Sequence, residues 1–292
     1  MKAYHSIAAI SAVFLGFSAP AKAHRSWIVP SSTVLSGEEP WVTFDAAISN
    51  NLFFADHHAP ELTAISAIGP DGEKEPLLNG SKGKYRTTFD LKLEKAGTYK
   101  VASVREMIMA RWKEDGEEKS FRGSAGDFEK EKIAGKPGVS VTESSSRVET
   151  FVTKGEPSTG ALKLTGKGLE LEFAETHPND LFAGGKAKFI LKKDGKPAAG
   201  VTVTAIPGND RYRSEAGEIT ATTGSNGEFE IVFKEAGRWW LNASLDGDGE
   251  GKKAEDSDKD SKAGKTEKSG ADKSAQPTKR CSYTAVFEVL PE

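Results

Sequence analysis

The sequence predicts an all-β fold with two β-sandwich domains, and three observations support this prediction. Short runs rich in Val, Ile, Thr, Phe and Trp recur between clusters of Gly, Pro, Asn and Asp. Helical periodicity is nearly absent. In the second half, Asp194-Gly195 and Asn226-Gly227 separate such runs, and these dipeptides supply the positive φ that tight hairpins require. Regularly spaced short strands with turns of this kind are typical of sandwiches and barrels.

The first 23 residues have the features of an export signal. Lys2 supplies a positive charge, and the apolar run from Ile7 to Phe17 is too short to span a bilayer as a stable helix. Ala21-Lys22-Ala23 is a small-x-small cleavage site, so we expect His24 to be the first residue of the mature chain. No later apolar run is long enough to cross a membrane. We therefore expect a periplasmic protein with no direct membrane insertion.

The first domain is expected over residues 24–155. Phe89, Leu91 and Leu93 alternate with polar neighbours, which predicts a strand with one buried face. Residues 110–138 are charged and irregular, and we expect a surface excursion with a short helix, anchored by Trp112, Phe121 and Phe128. The predicted strands of this domain are Ser26–Val29, Pro40–Ala46, Ala64–Ile68, Tyr85–Lys92, Gly97–Arg105 and Val148–Thr153.

The second domain is expected over residues 169–292, after a junction at 155–168. Seven strands at this spacing fit an immunoglobulin-like sandwich. Trp239 and Trp240 could form a carbohydrate platform, but a packed strand is the better interpretation, since one of two neighbours on a strand must face the core. The predicted strands are Leu169–Ala174, Lys186–Lys192, Val201–Pro207, Ile219–Thr223, Glu228–Phe233, Gly237–Ser244 and Ser282–Leu290.

Residues 246–280 differ in composition from the rest of the second domain. The segment is rich in Lys, Asp, Glu, Gly, Ser and Ala and has no aromatic or β-branched apolar residue. It cannot bury enough apolar surface to offset its conformational entropy, which predicts a disordered insertion between the last two strands. The alternative is a functional tether or an ion-collecting loop.

Cys281 is the only cysteine, so no disulfide framework within the chain is possible, and we interpret it as a buried thiol.

Composition and motifs argue against several functions. The chain has 40 basic and 43 acidic residues, mixed along the sequence, which does not suggest a nucleic-acid partner. The sequence has no Gly-x-Ser-x-Gly elbow, no phosphate-binding glycine loop, and no Cys-x-x-Cys or His-Glu-x-x-His signature. We therefore do not expect an enzyme, and four histidines of the mature chain remain as the main candidates for chemistry.

His24 would be chemically distinct if cleavage exposes it. An α-amine has a pKa of about 8, and this amine and the imidazole of the same residue can chelate one ion. Copper(II) and nickel(II) favour such nitrogen ligands. The other interpretation is that the peptidase simply leaves a histidine there. Ser26 occupies the third mature position, so the amino-terminal motif that requires a histidine there is absent.

The other candidate ligands occupy two segments. His57 and His58 follow Asp56 in a stretch that Asn50 and Pro60 mark as a loop, where both rings could turn towards one ion. Asp56 and, more distantly, Asp45 are candidate outer ligands, with Asp56 also able to fix a ring tautomer. A solvated polar loop is the alternative. His177 precedes Pro178 in a turn, and we favour a structural role over a role at the domain interface.

These residues resemble a known periplasmic family, domain of unknown function 4198, found near nickel and cobalt uptake systems. The similar segments, in the same order, are Ala23–Ser31, Val42–Asp45, Asp56–His58, Ser146–Thr153, Thr176–Leu181 and Gly195–Pro207. The resemblance covers nearly the whole mature chain. It implies a two-domain β protein of the periplasm and no established reaction, and it places all four histidines at family motif positions.

The leading hypothesis is a periplasmic protein that binds nickel, cobalt or copper and passes it to a metal transporter or an outer-membrane receptor. Binding requires a free amine and neutral imidazoles, so affinity should fall as the pH drops through about 6–8. The alternative is a binding or structural module that docks a partner through strand edges and a Trp-rich surface. An oxidative copper enzyme is a poorer third. The deciding observation is whether the other histidines lie beside His24.

Overall fold

A computed structural model describes residues 24–208, 210–247, 250–251 and 277–292. The predicted export signal and residues 252–276 of the predicted insertion lie outside the described residues. The ends of that insertion are described, and they correct its boundaries: Asp246 ends one strand and Thr278 begins the next. In the described part of the chain, no helix is long and apolar enough to cross a membrane.

The prediction of an all-β fold is confirmed. The only α-helix of the described residues is α1 (Ala125–Lys130). Strands of the first half are β1 (Arg25–Pro30), β2 (Val34–Leu35), β3 (Trp41–Ser49), β4 (Ile65–Ile68), β5 (Lys74–Glu75), β6 (Leu78–Lys82), β7 (Arg86–Lys92), β8 (Gly97–Glu114), β9 (Glu117–Gly123) and β10 (Ser140–Lys154). Strands of the second half are β11 (Leu169–Glu172), β12 (Lys186–Lys193), β13 (Lys196–Pro197), β14 (Thr202–Pro207), β15 (Ile219–Thr222), β16 (Glu228–Val232), β17 (Gly237–Asp246), β18 (Glu250–Gly251) and β19 (Thr278–Val289).

The first sandwich packs the four-stranded sheet β1-β3-β7-β6 against strands β4, β8 and β10. Alternation along β7 explains its core face, because Phe89 and Leu91 are buried while their neighbours are partly exposed. Phe44 of β3 stacks on Phe89 with ring centroids 5.1 Å apart. The rest of this core includes Ile28, Val42, Ala46, Tyr99, Val101, Val148 and Val152.

The second sandwich packs strands β15-β14-β17-β19 against strands β11, β12 and β16, with the short β13 beside β12. Seven main strands in two layers agree with the immunoglobulin-like prediction. Gly227 lies in the predicted Asn-Gly turn with φ +77°, and a Cβ there would lie 2.3 Å from the Leu191 carbonyl oxygen. Only glycine fits that position. Phe189 and Phe287 stack across the core with centroids 5.9 Å apart.

One sheet runs through both sandwiches. Strand β10 of the first half pairs in parallel with β19 of the second, in a register that runs from Thr142 opposite Thr278 to Thr150 opposite Val286. This pairing connects eleven strands. A further cluster covers the junction, where Trp27 and Leu52 pack with Trp240 of β17. Strand β1, which carries Trp27, is therefore held against the second half.

The excursion at residues 110–138 is more regular than the sequence analysis predicts. Strand β8 continues to Glu114 and forms a hairpin with β9, through a turn at Asp115 and Gly116, both with positive φ. Its predicted anchors are confirmed, since Phe121 and Phe128 lie 5.7 Å apart between ring centroids and Trp112 packs on the same cluster. The charged residues of this segment occupy the exposed positions of the β8–β9 hairpin. Their high number made the segment look irregular in the sequence, although it forms two paired strands.

The tryptophans do not form a surface of the kind that the docking alternative needs. Trp239 is buried in the second core and Trp240 is buried under β1, which confirms the interpretation of a packed strand. Trp27 is also buried, and only Trp41 is substantially exposed, at 48%.

Cys281 is partly buried, and burial raises the pKa of its thiol, which agrees with the predicted unreactive thiol.

Candidate functional site

Three of the four predicted histidines lie together at one end of the first sandwich. The rings of His24 and His57 stack with centroids 3.8 Å apart and an interplanar angle of 11°. His58 contacts His57 edge to face, with centroids 4.7 Å apart. All three residues are exposed. We call this group the histidine cluster.

Local backbone pairing explains why these residues meet. His24 directly precedes β1, whose first residue, Arg25, lies opposite Ser49 at the end of β3. The loop that follows β3 returns to the same strand end, because His58 and Ile48 exchange two backbone hydrogen bonds of 3.1 and 3.3 Å. The start of β1 and the end of this loop therefore adjoin the same end of β3.

Two carboxylates hold the segments that bear the histidines. Asp56 accepts a 2.8 Å hydrogen bond from the Asn50 amide through Oδ1, so it closes the loop. Asp210, from the second half, accepts a 2.6 Å bond from Arg25 Nη1 and a 3.2 Å bond from the Leu52 amide. Arg25 also lies over the Trp240 ring, 5.7 Å from its centroid. Asp210 thus ties β1 and the loop to each other.

The electrostatic surroundings favour a neutral His58 ring. Burial lowers its pKa, and the positive charges of His57, Arg105, His24 and Lys82 lower it further. A neutral imidazole has one nitrogen free to accept a proton or a metal ion. His58 therefore disfavours a proton and retains a ring nitrogen for ligation near neutral pH.

Asp45 and Asp56 do not join the cluster as the sequence hypothesis has them. Asp56 lies beside the histidines, but its Oδ1 holds the loop. Asp45 lies opposite Val29 and forms an ion pair with Arg86 at 3.3 Å. Val29 is five residues from His24, about 16 Å along an extended strand. Asp45 is therefore remote from the rings.

His177 occupies a different place, under the junction. Its Nδ1 accepts a 3.2 Å hydrogen bond from the Asn179 amide, so its Nε2 carries the proton and faces Thr98 Oγ1 at 3.0 Å and the Ser158 carbonyl at 3.3 Å. Arg105, whose charge acts on the His58 ring, lies seven residues from Thr98 along β8, about 23 Å in an extended strand. His177 is therefore remote from the histidine cluster. Both ring nitrogens have protein partners, which agrees with the structural role that the sequence favours.

The pH dependence of stability tests this role of His177. Burial lowers its pKa, opposed in part by the hydrogen bond to Ser158 and by Asp180. The unfolded chain therefore binds this proton at higher pH than the folded chain. The contribution to stability is complete above the ordinary pKa of about 6.5, and it is lost as the pH falls from there through the folded pKa. His177→Gln should lower the free energy of unfolding by about 1–3 kcal/mol at pH 7.5.

The measurement is urea unfolding at several pH values between 7.5 and 5. We expect the difference between the two proteins to shrink as the pH falls, because only the histidine gains a proton on unfolding. A difference that stays constant over this range would show that His177 does not titrate between the two states.

A buried polar network at the junction has no counterpart among the sequence predictions. Arg147 donates to Glu149 Oε1 at 3.1 Å, and Tyr283 donates to Glu149 Oε2 at 2.9 Å. Glu170 accepts from three backbone amides and the Thr165 hydroxyl, and it lies 3.4 Å from Arg147. Burial and the charge of Glu149 raise the pKa of Tyr283 well above its usual value. Arg147 and Glu149 on one face of a strand were the available signal.

The cluster offers nitrogen donors, but its geometry is not that of a formed metal centre. In the described ranges, no group of three or more His, Cys, Asp or Glu side chains is arranged to hold a metal ion. The stacked rings of His24 and His57 place their faces, not their nitrogens, towards each other. The donor set, three imidazoles without a thiolate, suits nickel, copper, cobalt or zinc. Ligation would require the exposed rings to turn.

The comparison with protein families decides the classification. The model of the family described as domain of unknown function (DUF4198) matches residues 21–247 of the 292. The chain belongs to the DUF4198 family. The matched range includes the whole histidine cluster and Asp210 of this DUF4198 protein, and it includes Arg147, Glu149 and Glu170 of the buried network but not Tyr283. No curated protein matches the chain.

Solved structures similar to this DUF4198 protein are distant. A DUF4785 family protein from Legionella pneumophila subsp. pneumophila str. Philadelphia 1 is 8% identical over 74% of this chain and 50% of that chain, with a TM-score of 0.23. The D0-D1 domain of intimin is 13% identical over 74% and 88%, with a TM-score of 0.18. A mutant Salmonella alpha-2-macroglobulin is 12% identical over 90% and 14%, with a TM-score of 0.20. The chain thus spans about half the length of the Legionella protein.

Proposed function

We propose that the processed protein is a periplasmic carrier of a transition-metal ion, with no catalytic role of its own. The observation that supports this most directly is the contact of the His24 and His57 rings, 3.8 Å apart between centroids, with His58 beside them. Two separate chain segments bring these exposed rings to one place. Contacts between exposed imidazoles have no evident structural role. His177, by contrast, has protein partners at both ring nitrogens, as a structural histidine would.

The cargo would be held by nitrogen ligands. His24 would supply its ring and, after cleavage behind Ala23, its amine, and His57 and His58 would supply the remaining imidazoles. Nickel, cobalt and copper all accept such donors. The amine gives His24 a second donor on the same residue, so its contribution depends on where the peptidase cuts.

Location and partners belong to the same proposal. An exported chain could accept an ion in the periplasm and pass it to a metal transporter or an outer-membrane receptor. Exposed ligands suit such a transfer, since a partner can reach the ion without unfolding the carrier. A buried site would suit storage better.

The decisive test compares two forms of the protein that differ by one residue. Protein that begins at His24 and protein that begins at Ala23 are titrated with nickel(II), cobalt(II) and copper(II) by calorimetry. We expect the extended form to bind about tenfold or more weakly, a loss of about 1.4 kcal/mol or more, because its terminal amine is no longer on the histidine. Equal affinities would remove the amine from the site.

Three variants complete this test. His57→Ala and His58→Ala in the protein that begins at His24 should weaken binding, while His177→Gln, remote from the cluster, should not. Loss of affinity in His177→Gln alone would contradict the location of the site. Mass spectrometry of protein recovered from the periplasm establishes whether His24 is the first residue.

A non-metal docking module remains a second candidate. It is favoured by the stacked arrangement of the rings and by exposed aromatic residues, since Tyr212 is 74% exposed and Trp41 48%. If protein recovered from the periplasm carries no metal and instead brings a stable partner through these residues, the docking module replaces the carrier.

A further inference from the structure

A small cavity with a mixed polar and apolar lining opens beside the histidine cluster, between the two sheets of the first sandwich. Its volume is about 40 Å³. Ile48, whose backbone pairs with His58, lines one side, and Arg105 of β8 lines the other. The cavity is lined further by Trp27, Ile28, Pro60 and Val148, and by the serines 26, 103 and 146.

The cavity exists because the inner face of the larger sheet changes character along β8. Tyr99 and Val101 point into the first core, and the next residues on the same face are Ser103 and Arg105. On β10, Ser146 lies opposite Arg105, next to the core residue Val148 on that face. Where the apolar core ends, a positive charge and hydroxyl groups continue the same face.

These polar groups lack partners within the part of the chain that the structure describes. Ser103 is 7% exposed, and its hydroxyl has no hydrogen-bond partner there. Arg105 is exposed and Ser26 and Ser146 are partly exposed, and their side chains have no hydrogen-bond partner there either. The Ser103 hydroxyl is not among the buried, unpaired polar atoms of the described residues, so it is accessible through the cavity and free to donate to a ligand that enters there.

The charge around the cavity selects the sign of that ligand. The charged groups with the largest effect on the His58 pKa are positive, namely His57, Arg105, His24 and Lys82. Lys82 is already paired with Glu61, so Arg105 is the permanently charged group left to meet an anion. Its planar guanidinium suits a carboxylate, which it can bind through two parallel hydrogen bonds.

We propose that Arg105, with the hydroxyls of Ser26, Ser103 and Ser146, forms a subsite for one carboxylate group beside the histidine cluster. A cavity of about 40 Å³ has room for about three water-sized positions, which matches the three heavy atoms of a carboxylate. The chemical class of the cargo rests on the proposed function. If the protein carries a metal ion, the cargo is a metal ion that carries a small carboxylate ligand. The histidines take the metal and Arg105 takes the carboxylate.

The first experiment needs no metal and so stands apart from the proposed function. Citrate and acetate are titrated into metal-free protein at constant ionic strength, with sulfate and phosphate as comparison anions, and binding is followed by calorimetry and tryptophan fluorescence. We expect citrate to bind, and Arg105→Gln and Ser103→Val each to weaken it about tenfold or more. Arg86→Gln, an exposed arginine on the other sheet, is the matched control and should leave binding unchanged.

The second experiment adds nickel(II), alone and as its citrate complex. Arg105→Gln should bind the bare ion as the unchanged protein does, within about twofold, and should lose affinity for the complex. If neither form of nickel binds while citrate does, the carrier proposal fails and the subsite stands. If citrate binds Arg105→Gln and the unchanged protein equally, or sulfate and phosphate bind as well as citrate, the carboxylate subsite is overturned.

Discussion

Replacing Arg147 with Met should be among the most damaging single changes to the stability of this protein. The Arg147 side chain is 7% exposed and pairs with Glu149, whose other oxygen accepts from the buried Tyr283. Removal of the guanidinium leaves Glu149 charged and buried without its cation. Breaking a buried ion pair in this way costs about 3–5 kcal/mol. Urea unfolding of Arg147→Met against the unchanged protein measures that loss.

A double variant separates the lost ion pair from lost packing. Arg147→Met combined with Glu149→Gln removes the Glu149 charge together with its cation, while the amide oxygen can still accept from Tyr283. We expect the combined loss to be smaller than the sum of the two single losses by about 1–3 kcal/mol. Additive losses would mean that Arg147 contributes mainly by filling space. Glu170 should be less affected by the loss of Arg147, because three backbone amides and a hydroxyl also donate hydrogen bonds to it.

The network shows what local sequence patterns can and cannot predict. Short runs rich in β-branched and aromatic residues predicted most strands, because such side chains pack well on the half-buried face of a sheet. The parallel pairing of β10 with β19 depends on residues more than a hundred positions apart, and no local pattern encodes it. The ends of β8 and β10 were missed for the same reason. Most of the outer segment of β10, Ser140–Arg147, is polar, and its pairing with β8 keeps it extended.

The residues of the candidate site could also be predicted only in part. Residue chemistry was enough to select His24, His57 and His58, and the turn residues around Asp56 predicted a loop that could bring two rings together. The sequence could not show that His177 is occupied by hydrogen bonds at the junction. It also gave no reason to notice Arg105 and Asp210, because a single charged residue on a strand or in a turn is ordinarily a solvated one.

Asp210 is the residue through which the second half is expected to control the histidine cluster. Its side chain is 5% exposed and holds Arg25, the residue after His24, and the backbone of Leu52 in the loop that leads to His57. Asp210→Ala leaves the largely buried Arg25 without its carboxylate and the Leu52 amide without its acceptor. We expect a loss of about 2–4 kcal/mol in the free energy of unfolding. Thermal and urea unfolding measure it.

The same change should also weaken metal binding, because the two segments that carry the rings lose their common tie. Asp210→Asn keeps an acceptor for the Leu52 amide but not the negative charge, so its metal affinity should lie between those of Asp210→Ala and the unchanged protein. Glu235→Ala, which breaks the exposed ion pair with Arg213, is the matched control and should change neither stability nor affinity by much. Both Asp210 variants are compared at a temperature where each is fully folded. Full metal affinity in folded Asp210→Ala would mean that the cluster assembles without help from the second half.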